Sequence, residues 1–162
     1  MEELVRERER LTQETWSAAG VELEGAAKQL ERARALAEQA PEVVWNVSED
    51  GRVTYLNRAW IELVGGVQEH WLGHKWMQRI HPDDVASMTA NWERSRETLA
   101  PYSGTRRILA RDGRWHTMSY RAAPVLDDQG QVSFWVGIDS DITELKAIEQ
   151  ALRASNEEMQ GF

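Results

Sequence analysis

The sequence predicts an α+β fold: an antiparallel β-sheet with helices over one face and a long helix at either end. Three observations carry this. Two strand-like stretches, beginning near Val43 and Arg52, precede a run of helical patterns, and three more strand-like stretches follow from Thr105. The turns within each group, Asp50-Gly51, Asp112-Gly113 and Asp127-Asp128-Gln129-Gly130, are tight hairpin signals, so the pairing is antiparallel. The stretch Val132 to Ile138 alternates, with β-branched and aromatic residues, and runs straight into a helix start at Asp141.

Composition narrows the function classes. The chain has 162 residues, room for one domain with appendages. A net charge of −8 argues against a nucleic-acid partner, which would need a positive footprint. No run approaches the length of a membrane span, and the Met1 end is charged, so no signal peptide is expected and the cytoplasm is the expected location. With no cysteine, disulfides, thiolate metal sites and cysteine nucleophiles are excluded. Eight tryptophans against two phenylalanines suggest that several indoles line something concave, because each N–H wants a partner.

Residues 1–40 form one helix, rich in Glu, Arg and Ala and closed by Pro41. Trp16, Leu23, Leu30 and Ala37 recur every seven residues, with Ala19, Ala26, Ala33 and Ala40 three residues after each. Those are the two seam positions of a heptad. Leu4 and Leu11 fall outside that register, so a stutter is expected near Thr12 to Thr15. Gly20 and Gly25 each weaken an isolated helix by about 1 kcal/mol relative to Ala. A dimeric coiled coil is therefore preferred over an amphipathic helix lying on its own domain.

Pro41 opens a domain over residues 41–143. Val43 to Val47 is the first strand and Arg52 to Leu56 the second. Asn57 is placed to cap the next helix, in which Ala59, Trp60, Leu63 and Val64 share a face ending at Gly65-Gly66. Glu69 to Leu72 is a short turn of helix, and Trp76, Met77 and Ile80 form an apolar patch. His81-Pro82-Asp83-Asp84 starts a longer helix, with Pro in its first turn and two acids at its positive end, running through Val85, Met88, Trp92 and Leu99 to Pro101. Thr105 to Arg111, Arg114 to Val125 and the stretch from Val132 complete the sheet. Residues 144–162 are the closing helix. Asp141 and Glu144 have capping-box spacing, and Leu145, Ile148, Leu152, Ser155, Met159 and Phe162 make a seam for a second helix. A strand feeding directly into a protruding helix is a mechanical connection between sheet and output.

Several strings in this order resemble the PAS sensor domain: Asn57-Arg58-Ala59-Trp60, Trp71-Leu72-Gly73, His81-Pro82-Asp83-Asp84, Asp112-Gly113-Arg114-Trp115, and Trp135 through Lys146. The match covers about Leu36 to Lys146. The resemblance implies a five-stranded antiparallel sheet in the order 2-1-5-4-3 with helices over one face. It implies a sensory module of bacterial signal transduction, of two-component or nucleotide-cyclase type, that passes its state to an effector beyond this chain. It also implies the inward strand phase: Trp135, Gly137 and Asp139 in the last strand, His116, Met118, Tyr120 and Ala122 in the fourth, Arg106, Ile108 and Ala110 in the third. Phe134, Val136 and Ile138 then lie on the outer face, under the long helix. A one-residue slip would exchange each set.

The candidate ligand-binding residues on this reading are Trp60, Arg106, Ile108, Met118, Tyr120, Trp135 and Asp139. Arg106 and Asp139 are inward charges and should be paired. Mutual pairing that holds the sheet is the preferred reading, and recognition of a small polar ligand is the other. The cofactor is left unassigned. Haem is disfavoured, because the helix from Pro82 carries no His where the family places its ligand. Covalent flavin chemistry lacks its Cys. Non-covalent flavin or a small metabolite stays open, since Trp45, Trp60, Trp76, Trp92 and Trp135 can stack on a flat ring, against the blander alternative that they simply fill a core. His70 and His74 have helical metal-ligand spacing, but Gly73 interrupts the helix and no third ligand is near, so no metal site is assigned. Asp83 and Asp84 are adjacent on a helix and diverge by about 100°. No nucleophile elbow or phosphate-cradling loop is present. No enzyme is expected. The expected partner is a second copy, through the N-terminal helix and the outer sheet face, with a ligand-free dimerisation or scaffold module as the alternative function.

Overall fold

The computed structural model describes residues 1–161; Phe162, and the side chains of Trp16 and Ala19, lie outside the described residues, and so do the seam positions expected there. The chain divides into two units, Met1–Ala37 and the residues from Glu38 onward. The first is most of α1 (Glu2–Gln39), an unbroken helix. It passes through Thr12 and Thr15, whose hydroxyls donate to the carbonyls one turn back. Its leucines and valines are exposed, Leu23 by 73% and Leu36 by 75%.

The second unit carries the sheet. Its strands are β1 (Val43–Ser48), β2 (Val53–Leu56), β3 (Tyr102–Leu109), β4 (Trp115–Leu126) and β5 (Val132–Asp141). They are antiparallel and lie in the order β2-β1-β5-β4-β3. Between β2 and β3 come α2 (Arg58–Val64), α3 (Gln68–Trp71), a 3-10 turn over Lys75–Arg79 and α4 (Pro82–Thr98); α5 (Thr143–Gln160) follows β5. The connecting segment is stitched to the sheet by bridges from Val53 to Gly73 and from Ile80 to Ile108. Asp84 holds α4 onto β3, accepting from the Arg107 amide at 2.8 Å and from both sides of its guanidinium. The Arg107 hydrogen bonds keep the Asp84 carboxyl below its ordinary pKa.

The inward phase is the expected one. Trp135, Gly137 and Asp139 are buried, as are Met118, Tyr120, Ala122, Arg106, Ile108 and Ala110. Only His116 lies at the rim, half-buried. On the opposite face Phe134, Val136 and Ile138 are exposed.

Four local expectations are corrected. Asn57 sits at the N-cap of α2 without capping it by a side-chain bond. Fully buried, it reaches sideways to β1, accepting from the Val44 amide and donating to the Glu42 carbonyl, both at 2.9 Å. Asp141 is the last residue of β5, not the cap of a box: Ile142 stands at the helix N-cap, and Glu144 makes no return bond. The long helix α4 stops at Thr98, not Pro101, because Leu99 turns left-handed (φ 57°) and its amide closes the last turn on the Ser95 carbonyl. The first helix ends at Gln39, one residue short of Ala40.

Candidate functional site

A cavity of about 270 Å3 lies between the inner sheet face and the helical segment. Its walls are largely indole: Trp45 from β1, Trp60 from α2, Trp76 from the 3-10 turn and Trp92 from α4. Val43, Val53 and Leu56 add aliphatic surface, and Asp50, Glu93 and Arg96 stand exposed among the lining residues. An engineered cavity of roughly 150 Å3 accommodates benzene, so this one has room for about two fused rings.

Its polar element is the pair Arg106–Asp139. Nε donates to Oδ2 at 3.0 Å and Nη2 to Oδ1 at 2.7 Å, the bidentate fork that suits guanidinium and carboxylate. Both are nearly sealed from solvent, at 5% and 1% side-chain exposure. The Trp45 indole donates to the same Oδ1 at 2.6 Å. Trp45 can lie there because its register partner on β5 is Gly137, where a Cβ would collide with the indole ring. The Arg106 guanidinium also lies over the rings of Tyr120 at 4.6 Å, Trp76 at 5.2 Å and Trp45 at 5.5 Å. Burial works against its charge, but the Asp139 carboxylate prevails and holds the Arg106 pKa above its ordinary value. Its remaining arm, Nη1, donates to the Met88 sulfur at 3.3 Å. Among the described residues two further buried donors have no hydrogen-bond partner, the Nε1 atoms of Trp60 and Trp76.

Of the residues singled out in the sequence, Trp60, Arg106 and Asp139 line the cavity. Trp135, Ile108, Met118 and Tyr120 are buried in the same core without lining it. Trp135 packs edge-on against Trp92 at 5.1 Å, a wall behind a wall. His74 is among the lining residues, whereas His70 packs edge-on against Trp71 at 4.5 Å.

One cluster was missed as a cluster. His116 lies between two carboxylates, with Nδ1 2.7 Å from Asp141 and Nε2 2.9 Å from Asp112. Asp141 in turn accepts from the Thr143 amide at 3.0 Å, and Thr143 Oγ1 accepts from the Thr117 amide at 2.9 Å. The Ile142 amide donates to the Thr117 carbonyl at 2.8 Å. The start of α5 is thus tied to β4 through side chain and backbone. Partial burial pulls the His116 pKa down, but hydrogen bonds to Asp141 and Asp112 outweigh it and raise the pKa above 6.5. The spacing of Asp112 and His116 across the turn was a visible signal; the approach of Asp141 was not.

Comparisons with known proteins agree on the architecture. A family model described as the PAS fold matches residues 53–139. The protein y4lL of Sinorhizobium fredii, described as uncharacterized, is 29% identical over 126 residues, which are 78% of this chain and 15% of that protein. This chain therefore spans about 15% of the length of that relative. Among solved structures, a sensory box histidine kinase/response regulator from Burkholderia thailandensis superposes with a TM-score of 0.59 at 27% identity, over 81% of this chain and 99% of that one. The N-terminal domain of a diguanylate cyclase with PAS/PAC sensor from Marinobacter aquaeolei gives 0.58 at 23% identity, over 65% and 98%.

Proposed function

This chain belongs to the PAS-fold family, and on that premise we propose that it is a dimeric, cytoplasmic sensor and relay module. A small ligand in the cavity biases the state of β5, and α5 carries that bias to an effector of histidine-kinase or nucleotide-cyclase type. Residues 1–40 serve as the dimerising entry helix, 41–143 as the sensor and 144–162 as the exit helix. The relatives support a sensory role, since similar domains occur in a histidine kinase and a diguanylate cyclase. PAS domains are generally sensory and non-catalytic. Among the described residues no helix is long and apolar enough to cross a membrane.

One observation carries the relay. β5 places Asp139 in the cavity wall and Asp141, two residues on, in the knot that starts α5. A shift of β5 at one is transmitted to the other along a continuous strand, a two-state element of the kind ligands bias. The cavity's volume suits a small metabolite better than a whole flavin nucleotide. A second reading, a ligand-free scaffold, is favoured by one fact: Arg106 and Asp139 already satisfy each other.

Native mass spectrometry of the purified chain, with an absorbance scan, tests both. A dimer that retains or takes up a small molecule supports the sensor. A dimer that binds nothing across a metabolite library supports the scaffold, and a monomer overturns the dimeric relay.

A further inference from the structure

We infer that the cavity takes an uncharged, apolar molecule of about two fused rings, held by shape and dispersion and not by hydrogen bonds. This rests on the reading of the cavity as a ligand site and adds the ligand's chemistry.

The buried polar side chains of the lining are already committed. Arg106 and Asp139 serve each other. All three nitrogens of the guanidinium donate, Nε and Nη2 to Asp139 and Nη1 to the Met88 sulfur. Both carboxylate oxygens accept, Oδ1 from Trp45 as well as from Arg106. The Trp45 N–H is spent on that bond. Those of Trp60 and Trp76 are sealed within the wall, with no surface for a ligand to touch. The Tyr102 hydroxyl donates to the Met88 carbonyl at 3.2 Å. Val43, Val47, Val53, Leu56 and Met77 add apolar surface only.

The lining's water-facing polar groups stand apart from this interior. His74, Asp50, Thr89, Glu93 and Arg96 are exposed and mark where the cavity opens. Half-buried Trp92 belongs with them, since its Nε1 lies 3.4 Å from where a Cβ on Gly51 would stand. A polar group carried past that mouth gives up its water and meets walls that cannot replace it, a cost incurred for each group left unpaired. A charged group fares worse, because Arg106 and Asp139 already cancel each other. An apolar ring system loses only unfavourable hydration and gains contact with indole and aliphatic surface.

Naphthalene and 1,5-naphthyridine provide the test. They share one bicyclic outline, but the naphthyridine carries a nitrogen on each ring, so an acceptor is buried whichever end enters first. The full chain, labelled with 13C at its methionine methyls, is titrated with each and followed by NMR. Met77 and Met88 line the cavity, whereas Met1 and Met159 are exposed near the chain ends. Naphthalene should shift the Met77 and Met88 signals and leave those of Met1 and Met159 in place. It should bind about tenfold or more tightly than 1,5-naphthyridine, as one acceptor buried without a partner implies. A smaller or reversed ratio at the same two methyls keeps the cavity as a ligand site and overturns its apolar character. If neither compound moves Met77 and Met88, the ligand-site reading fails together with this inference.

Discussion

Asp139 and Asp141 lie on the same face of β5, yet they meet opposite environments. Asp139 is sealed at 1% exposure and forks onto Arg106, while Asp141 sits at the rim between His116 and Thr143. This strand is central in the sheet, flanked by β1 and β4, so its displacement is resisted on both edges and is felt at both.

Removing one partner of the buried pair strands the other. Asp139→Ala is expected to destabilise the chain by about 3–5 kcal/mol, because it leaves Arg106 buried and uncompensated. The double replacement Arg106→Met with Asp139→Leu should recover most of that loss. Urea denaturation of the three proteins measures it, and equal losses in single and double variants would contradict the pairing account.

Gly137 has a packing reason to be glycine. Gly137→Ala drives a methyl into the Trp45 ring and pulls the indole off Asp139. Overpacking of this kind costs about 1–3 kcal/mol. A lower thermal midpoint together with a shifted Trp45 indole N–H signal is the expected result.

The knot at the start of α5 should respond to pH. The folded His116 pKa is raised, so its contribution is full below about 6.5 and is lost as pH climbs through the higher folded value. For Asp141, burial pulls upward, but the bonds from Thr143 and His116 prevail and its pKa is lowered. The His116 hydrogen bond lowers Asp112 likewise. Their contributions are present above about 3.8 and are lost as pH falls through the lower folded values. Amide exchange over residues 141–146, corrected for intrinsic rate, should therefore be slowest near pH 5 to 6 and faster at pH 8. His116→Gln should erase that difference.

Thr143 both receives the Thr117 amide and contacts Asp141. Thr143→Ala should cost about 1 kcal/mol and speed exchange in the first turn of α5, whereas Thr143→Ser keeps the hydroxyl and should restore most of the protection.

A 38-residue helix with exposed leucines calls for a partner. Sedimentation of the full chain should report a dimer. The pair Leu23→Glu and Leu30→Glu should make it a monomer while leaving the near-UV signal of the tryptophan-lined domain in place.

Periodicity and turn chemistry by themselves determined the elements, the antiparallel pairing and the long first helix, because each depends on neighbours a few residues away. The inward faces followed once the family's strand phase was applied to Arg106, Met118 and Trp135. Tertiary structure alone decided which inward residues border open space: Trp60, Arg106 and Asp139 do, while Trp135 and Ile108 are walled in by other side chains. It also decided partners. Trp45 and Asp139 are 94 residues apart and meet only through the β1–β5 register. Asn57 has the side chain of a helix cap yet bonds the Val44 amide and the Glu42 carbonyl, 13 and 15 residues away, whereas Asp141 holds the Thr143 amide at the start of α5 and also meets His116 across the sheet. Local pattern is a property of the chain; the geometry that joins distant residues is a property of the sheet order and is written nowhere in a single stretch.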